Sequence, residues 1–245
     1  PAMGMIQSIT RLPHGMLGIA ARHFDGLEHA HRVGAVPAMS QGDSGTIWDV
    51  NDTDYPWSAF SSATTLTVDR ASTDDAGKLI VIEGLDENYH PISEEVTLTN
   101  ATGNATTQSF IRVQSIRMTN GSSINDGDIT VNASATVVGR IVAGRGMSLM
   151  GIYTVPAGYT GYLLKGTCTC RASADATGDM FVRYFGDSSF VVGHSFEVSG
   201  SGGEYTYDFP VPLRIPEKSD IDVRASVRSN NARITAAFDI LLEAD

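Results

Sequence analysis

Cysteine is nearly absent: a chain of 245 residues has two, Cys168 and Cys170, separated by one position. On a strand such a pair shares one face about 7 Å apart, which is poor disulfide geometry. Both are therefore expected as small buried hydrophobes, and a disulfide-stapled secreted scaffold is excluded. No run of about 18 apolar residues occurs, so no membrane-crossing helix is expected. Positive charge is also short, with 17 Lys and Arg against 28 Asp and Glu, a net charge of -11 and a pI near 4.9. Phosphate backbones and anionic bilayers are bound by clustered Lys and Arg, so neither nucleic acid nor a membrane is expected as a partner. No phosphate loop, dinucleotide fingerprint or zinc-ligand spacing appears, so no cofactor is expected. The opening Pro1-Ala2-Met3-Gly4 does not resemble a signal peptide and reads as a cloning remnant ahead of a start at Met5.

What is present is alternation. Hydrophobic residues make up 42% of the chain, enough for a core, and 25 glycines fit many turns. Between Glu204 and Leu242 three runs keep a period of two. Tyr205, Tyr207, Phe209 and Val211 oppose Glu204, Thr206 and Asp208. Ile221, Val223, Ala225 and Val227 oppose Asp222, Arg224, Ser226 and Arg228. Ile234, Ala236, Phe238, Ile240 and Leu242 oppose Thr235, Asp239 and Glu243. Such strands have one dry and one wet face, as in antiparallel sheets. Tyr162, Leu164, Cys168 and Cys170 fall on one face of a further strand by the same parity. Leu79–Ile82 is apolar throughout, as in a central strand, and Gly186-Asp187-Ser188-Ser189 signals a hairpin. The expected class is all-β: two consecutive antiparallel β-sandwich domains, the C-terminal one jelly-roll-like, behind an extended N-terminal arm. The arm is placed at residues 5–40, with a short helical turn considered across Gly26–Val33. The sandwiches are placed at 41–143 and 147–245 around Ala143-Gly144-Arg145-Gly146.

Candidate sites are few. His14, His23, His29 and His31 concentrate in the arm, and His29 with His31 could bind a metal if the arm sat on an oligomer axis. No Cys or carboxylate partner has metal-like spacing, so solvated or locally bonded histidines are the simpler reading. Asp49, Asn51, Asp52 and Asp54 alternate as calcium-loop oxygens do, yet the sixth-position Gly and twelfth-position Glu are missing, and Asx turns explain them better. Trp48, Tyr55 and Trp57 could stack on sugar rings, against a plainer role as core or interface anchors. Glu83, Asp86, Glu94 and Glu95 are read as a solvated strand face and a turn rather than a glycosidase pair. Ser44, in Gly42-Asp43-Ser44-Gly45, lacks any supporting His and Asp motif. No catalytic residue is assigned.

Three segments carry a family resemblance. They are Ile80–Tyr89 with Glu94–Leu98, then Ile152–Leu163, and Ile215–Ile221. Together they resemble virion structural proteins of tailed bacteriophages, across residues 78–245 and most weakly over the arm. The resemblance implies a non-enzymatic part of the virion, assembled in the host cytoplasm. It points to a homotrimeric head decoration (cement) protein, or to a neck, tail or fibre component. The implied partners are further copies of itself and the major capsid protein or other virion proteins. The rival expectation is a receptor- or carbohydrate-binding tail module.

Overall fold

The computed structural model describes residues 15–50, 53–119, 123–171, 174–199, 203–228 and 231–245. A six-residue helix, α1 (Gly15–Ala20), precedes two strands, β1 (Leu27–Met39) and β2 (Ser44–Thr46). Seven strands follow in the first module: β3 (Thr64–Arg70), β4 (Leu79–Leu85), β5 (Pro91–Thr97), β6 (Asn104–Phe110), β7 (Arg112–Met118), β8 (Ile129–Ala133) and β9 (Thr136–Ile141). The second module adds β10 (Ile152–Thr154), β11 (Tyr159–Cys170), β12 (Ala176–Arg183), β13 (Val191–Val198), β14 (Glu204–Ile215), β15 (Asp220–Val227) and β16 (Ala232–Ala244).

All strand pairs are antiparallel. The first module stacks the sheet β6-β3-β8-β9 on β5-β4-β7, with the apolar run of β4 central as its sequence requires. The second stacks β1-β16-β11-β14 on β10-β15-β12-β13, with β2 also paired to β15. β14, β15 and β16 are consecutive in sequence but alternate between these two sheets. Each therefore crosses over the core instead of making a hairpin with the next, the mark of a jelly-roll-like sandwich. Each module has its own core. One is built around Leu66, Ile80, Ile82, Phe110 and Ile116, the other around Leu163, Ile215, Ile234, Phe238 and Ile240. Each such fully buried side chain is worth about 1.5–3 kcal/mol.

Three expectations change. Residues 27–33 are strand, not a helical turn, and β1 pairs with β16 from Leu27 opposite Glu243 to Val36 opposite Ile234. The later part of the arm thus belongs to the second module's sheet, where Val36 and Met39 are fully buried. β2 joins that module too, opposite Arg224–Ser226, so the chain starts the second module, builds the first, and returns. Finally, Tyr162 and Leu164 do not share a face with Cys168 and Cys170. A β-bulge skips Leu164 between Leu163 and Lys165, which reverses the parity along β11. Leu163, Cys168 and Cys170 point into the core. Tyr162 and Leu164 instead pack outside it with Ile19, Leu27 and Leu241, under α1. Both cysteines are buried and neither forms a disulfide.

The two crossings between modules run side by side. Trp48 bridges Met150, Asp49 N–H donates to Leu149 O at 3.0 Å, and Gly151 N–H donates to Ile47 O at 2.8 Å. Gly34 must be glycine here, because a Cβ would lie 2.1 Å from Ile47 O and 2.4 Å from Gly151 N.

Candidate functional site

The densest polar cluster lies where the first module covers one end of β15. By alternation Asp220, Asp222 and Arg224 should face water. Asp220 and Asp222 are instead 2% and 0% exposed. Asp220 Oδ1 accepts from Arg112 Nε of β7 at 2.8 Å and from Thr154 Oγ1 at 2.6 Å. Its Oδ2 accepts from Arg112 Nη2 at 3.1 Å and from Arg183 Nε and Nη2 at 3.1 and 2.5 Å. Asp222 accepts from Thr46 Oγ1 at 2.7 Å, Trp57 Nε1 at 2.9 Å and Arg224 Nε at 2.9 Å. Arg224 then reaches Asp54 at 2.7 Å. The guanidinium groups of Arg112 and Arg183 each lie 5.4 Å from the Trp57 ring.

Charges this deep stay only if every lone pair is used. Burial pushes the Asp222 carboxyl above its ordinary range, partly offset by Arg224, Trp57 and Thr46. Burial also works against the charge on Arg112, but the Asp220 carboxylate outweighs it and holds Arg112 above its usual value. Both carboxylate oxygens of Asp220 and of Asp222 accept hydrogen bonds. Chemically the cluster is a weld between β7 of one module and β10, β12 and β15 of the other.

Asp49 belongs to the same junction. Its Oδ2 accepts from Leu149 N–H at 2.9 Å, and its Oδ1 lies 3.5 Å from Arg145 Nη1. Burial pushes its carboxyl up to about 6, with Leu149, Arg145 and Arg140 pulling the other way. Asp49 and Asp54 are therefore committed to separate guanidinium groups and do not converge as calcium ligands. Asp52, with Asn51, lies outside the described residues, as does His14.

The three aromatics proposed for sugar stacking are core. Trp48, Tyr55 and Trp57 are 1%, 2% and 8% exposed. They stack edge to face, with centroids 5.1 and 4.7 Å apart. Tyr55 has its hydroxyl raised by burial.

His29 Nε2 and His31 Nδ1 both bond Asp239 Oδ1, at 2.9 and 2.7 Å, across the β1–β16 pair. This local bonding accounts for both rings. Among the described residues, no group of three His, Cys, Asp or Glu side chains is placed to hold a metal ion. The four carboxylates weighed as a glycosidase pair are not gathered. Glu94 caps Thr107 and Gln108 N–H groups at 2.7 and 2.8 Å, Asp86 caps Asn88 and His90, and Glu83 bonds Ser115. Ser44 opens β2, paired with Ser226.

Two depressions flank the junction. A cleft of about 620 Å³ runs between β1 and the first module, lined by Glu28–Arg32, Glu83, Gln114 and Tyr153. A smaller one, about 130 Å³, opens beside the β12–β13 turn among Tyr89, Arg183, Phe185 and Lys218. Sequence reasoning missed the Asp220–Asp222 cluster. Its one visible trace was the alternation of acid and base on a single face, Asp220, Asp222, Arg224.

No family model matches the chain, and no curated protein matches it. Some solved structures align loosely. The empty top-component particle of cowpea mosaic virus aligns at 8% identity, over 75% of this chain and 82% of that chain, with a TM-score of 0.23. The Gx strain of infectious bursal disease virus aligns at 10% identity, over 88% and 70%, with a TM-score of 0.22. A lipoprotein of Bacteroides thetaiotaomicron aligns at 8% identity, over 88% and 89%, with a TM-score of 0.19. Scores this low carry no argument about this chain.

Proposed function

We propose that this chain is a non-enzymatic virion structural protein of a tailed bacteriophage, a homotrimer that decorates and stabilises the capsid. Its partners are then its own copies and the major capsid protein or another virion protein, in a particle assembled in the host cytoplasm. The observation that carries this reading is the weld at the module junction. Asp220 and Asp222 spend their acceptors on Arg112, Arg183, Arg224, Thr46, Thr154 and Trp57, joining both sandwiches. A hinge around a substrate would keep this seam wet and loosely bonded. A part that clamps neighbours is better served by two modules held at one angle, because a rigid block loses little entropy on assembly. The resemblance carried by Ile80–Tyr89, Ile152–Leu163 and Ile215–Ile221 supports the same assignment. Light scattering on the purified protein, followed by co-sedimentation with expanded capsids, tests it. A trimer that pellets with capsids is expected; a monomer left in the supernatant refutes it.

One observation favours a receptor- or carbohydrate-binding tail module instead. At the β12–β13 turn, Phe185 is 60% exposed and meets Tyr89 edge to face at 5.6 Å. Lys218 Nζ lies 5.2 Å from the Phe185 ring. Aromatic faces beside cations at a loop end suit an acidic sugar. Binding on a glycan array that Phe185→Ala abolishes would favour this second reading over the first.

A further inference from the structure

The cleft of about 620 Å³ between β1 and the first module has unevenly matched charges on its walls. Its two acids are engaged. Glu28 Oε1 accepts from the Tyr159 hydroxyl at 3.4 Å, and Glu83 accepts from Ser115 Oγ at 2.6 Å and Arg117 Nε at 3.3 Å. Its two histidines, His29 and His31, share Asp239. Its two arginines differ: among the described residues neither Arg22 nor Arg32 forms an ion pair. Arg32 is the sharper case. It shares the parity of Ala30, which packs on the second module's core. Its guanidinium lies 4.8 Å from the centre of the Tyr153 ring, and its Nε is buried with no hydrogen-bond partner. Elsewhere at the junction Arg112, Arg183 and Arg224 each hold a carboxylate, at 2.8, 2.5 and 2.7 Å. A half-buried guanidinium without an anion is costly. In a chain with 28 acidic against 17 basic residues, two cations without acids in one cleft are a receptor for an acid from outside.

The backbone beside Arg32 indicates what carries that acid. β1 is an edge of its sheet, and among the described residues its one strand partner is β16. Ala244 N–H donates to Gly26 O at 2.8 Å, so the even-numbered residues of β1 bond β16, and the N–H and C=O groups of His29 and His31 point away from it. Pro37 and a register shift between Val36 and Met39 blunt the far end of β1, while Leu27–Val36 stays in regular register. Main-chain donors and acceptors on an open edge, flanking an arginine without an acid, match an extended peptide that bears an acidic side chain. A sugar has no repeat of amide groups to meet them.

We propose that this cleft is a docking site for an extended acidic segment of another protein, whose Asp or Glu side chain pairs with Arg32 while its main chain lies along His29 and His31. Exposed Arg22 offers a second cation to a further acid of the same segment. The inference holds whichever protein supplies the segment, and so stands apart from the capsid assignment.

Selection of a random octapeptide display library on the purified full-length protein tests the assignment, with the enriched peptides then titrated by fluorescence anisotropy. Those peptides should carry an Asp or Glu. Replacing that acid by Asn or Gln weakens binding at least about tenfold, and so does Arg32→Gln with the peptide unaltered. The bound peptide should also slow amide exchange at His29 and His31, and leave Ala30 and Arg32, already bonded to β16, unchanged. The peptide arm needs no altered protein, so it decides even if Arg32→Gln fails to fold. Selections that enrich no acidic peptide, amide peptides that bind as well as their parents, or unchanged exchange at His29 and His31 overturn the proposal. Self-association that Arg32→Gln abolishes would assign the cleft to a second copy, and a glycan-array signal lost in Arg32→Gln would assign it to an acidic sugar; either overturns docking of a foreign peptide.

Discussion

Asp220→Asn is the sharpest test of the junction. The side chain is 3% exposed and accepts four hydrogen bonds from two guanidinium groups that are themselves 7% and 20% exposed. The amide would remove the charge and replace one acceptor oxygen by a donor. On either side that new N–H₂ meets existing donors: Arg112 Nε and Thr154 Oγ1 at Oδ1, or Arg112 Nη2 with the Arg183 pair at Oδ2. Buried Arg112 and half-buried Arg183 lose their counter-charge, and removing one partner of a buried pair costs about 3–5 kcal/mol. For a chain of this size that is a fall in Tm of roughly 10 °C. Arg112→Met should cost less, about 1–3 kcal/mol, because Asp220 keeps Arg183 and Thr154. The assay is urea unfolding followed by tryptophan emission and by far-UV circular dichroism. Trp48 and Trp57, the chain's two tryptophans, both sit at the junction, so emission reports the seam and dichroism the sheets. The two signals should coincide in the unaltered protein, and emission should lead in Asp220→Asn. A loss under about 1 kcal/mol, or Arg112→Met costing more than Asp220→Asn, would refute the weld.

Three further outcomes follow from single sites. The Asp49 carboxyl is pushed up to about 6 by burial, so its stabilising contribution is complete below about pH 3.8 and is lost as pH rises through 6. That shift of about two pH units is worth up to about 3 kcal/mol; Asp49→Asn should match the parent near pH 4 and be the more stable by pH 8 in paired urea melts. Gly34→Ala drives a methyl into Ile47 O and Gly151 N, and should lower Tm by well over 5 °C or abolish soluble expression, a cost of several kcal/mol. Burial pushes the Cys168 thiol up to about 12. A thiol reagent at pH 8 should leave Cys168 unmodified in the folded protein and label it only after denaturation, as read by peptide mass.

Period two made the class of fold legible because each strand of the second module keeps one face on a core. Ile234 to Leu242 of β16 shows this plainly, with every second residue in the buried cluster. The rule failed on β11, where one extra residue at Leu164 reverses the parity that Tyr162 and Cys168 appear to share. A bulge has no sequence signature of its own; only the partner strands reveal the count. The rule also could not assign β1 to a module. His29, His31 and Arg32 weaken its hydrophobic pattern because half of the strand lies along an open edge and a cleft, and its partner lies about two hundred residues away at β16.

The junction was hidden for a different reason. Alternation tells which residues leave the core of their own sandwich, not what then covers them. On β15, Asp220, Asp222 and Arg224 satisfy the wet-face pattern as well as Thr235 and Asp239 do on β16, yet Asp222 ends fully buried beneath Trp57 and Thr46. What separates the two strands is the company in the rest of the chain. A buried carboxylate pair demands an equal supply of fixed donors, and Arg112 and Arg183 supply them from strands whose other neighbours are apolar, Ile111 and Val113 on one side and Val182 on the other. An arginine set among apolar strand residues has few reasons to be there except a buried acid. That pairing rule, applied across the two modules, would have placed Arg112 and Arg183 opposite Asp220 and the aromatic group at Trp57 against them, and so located the seam from sequence.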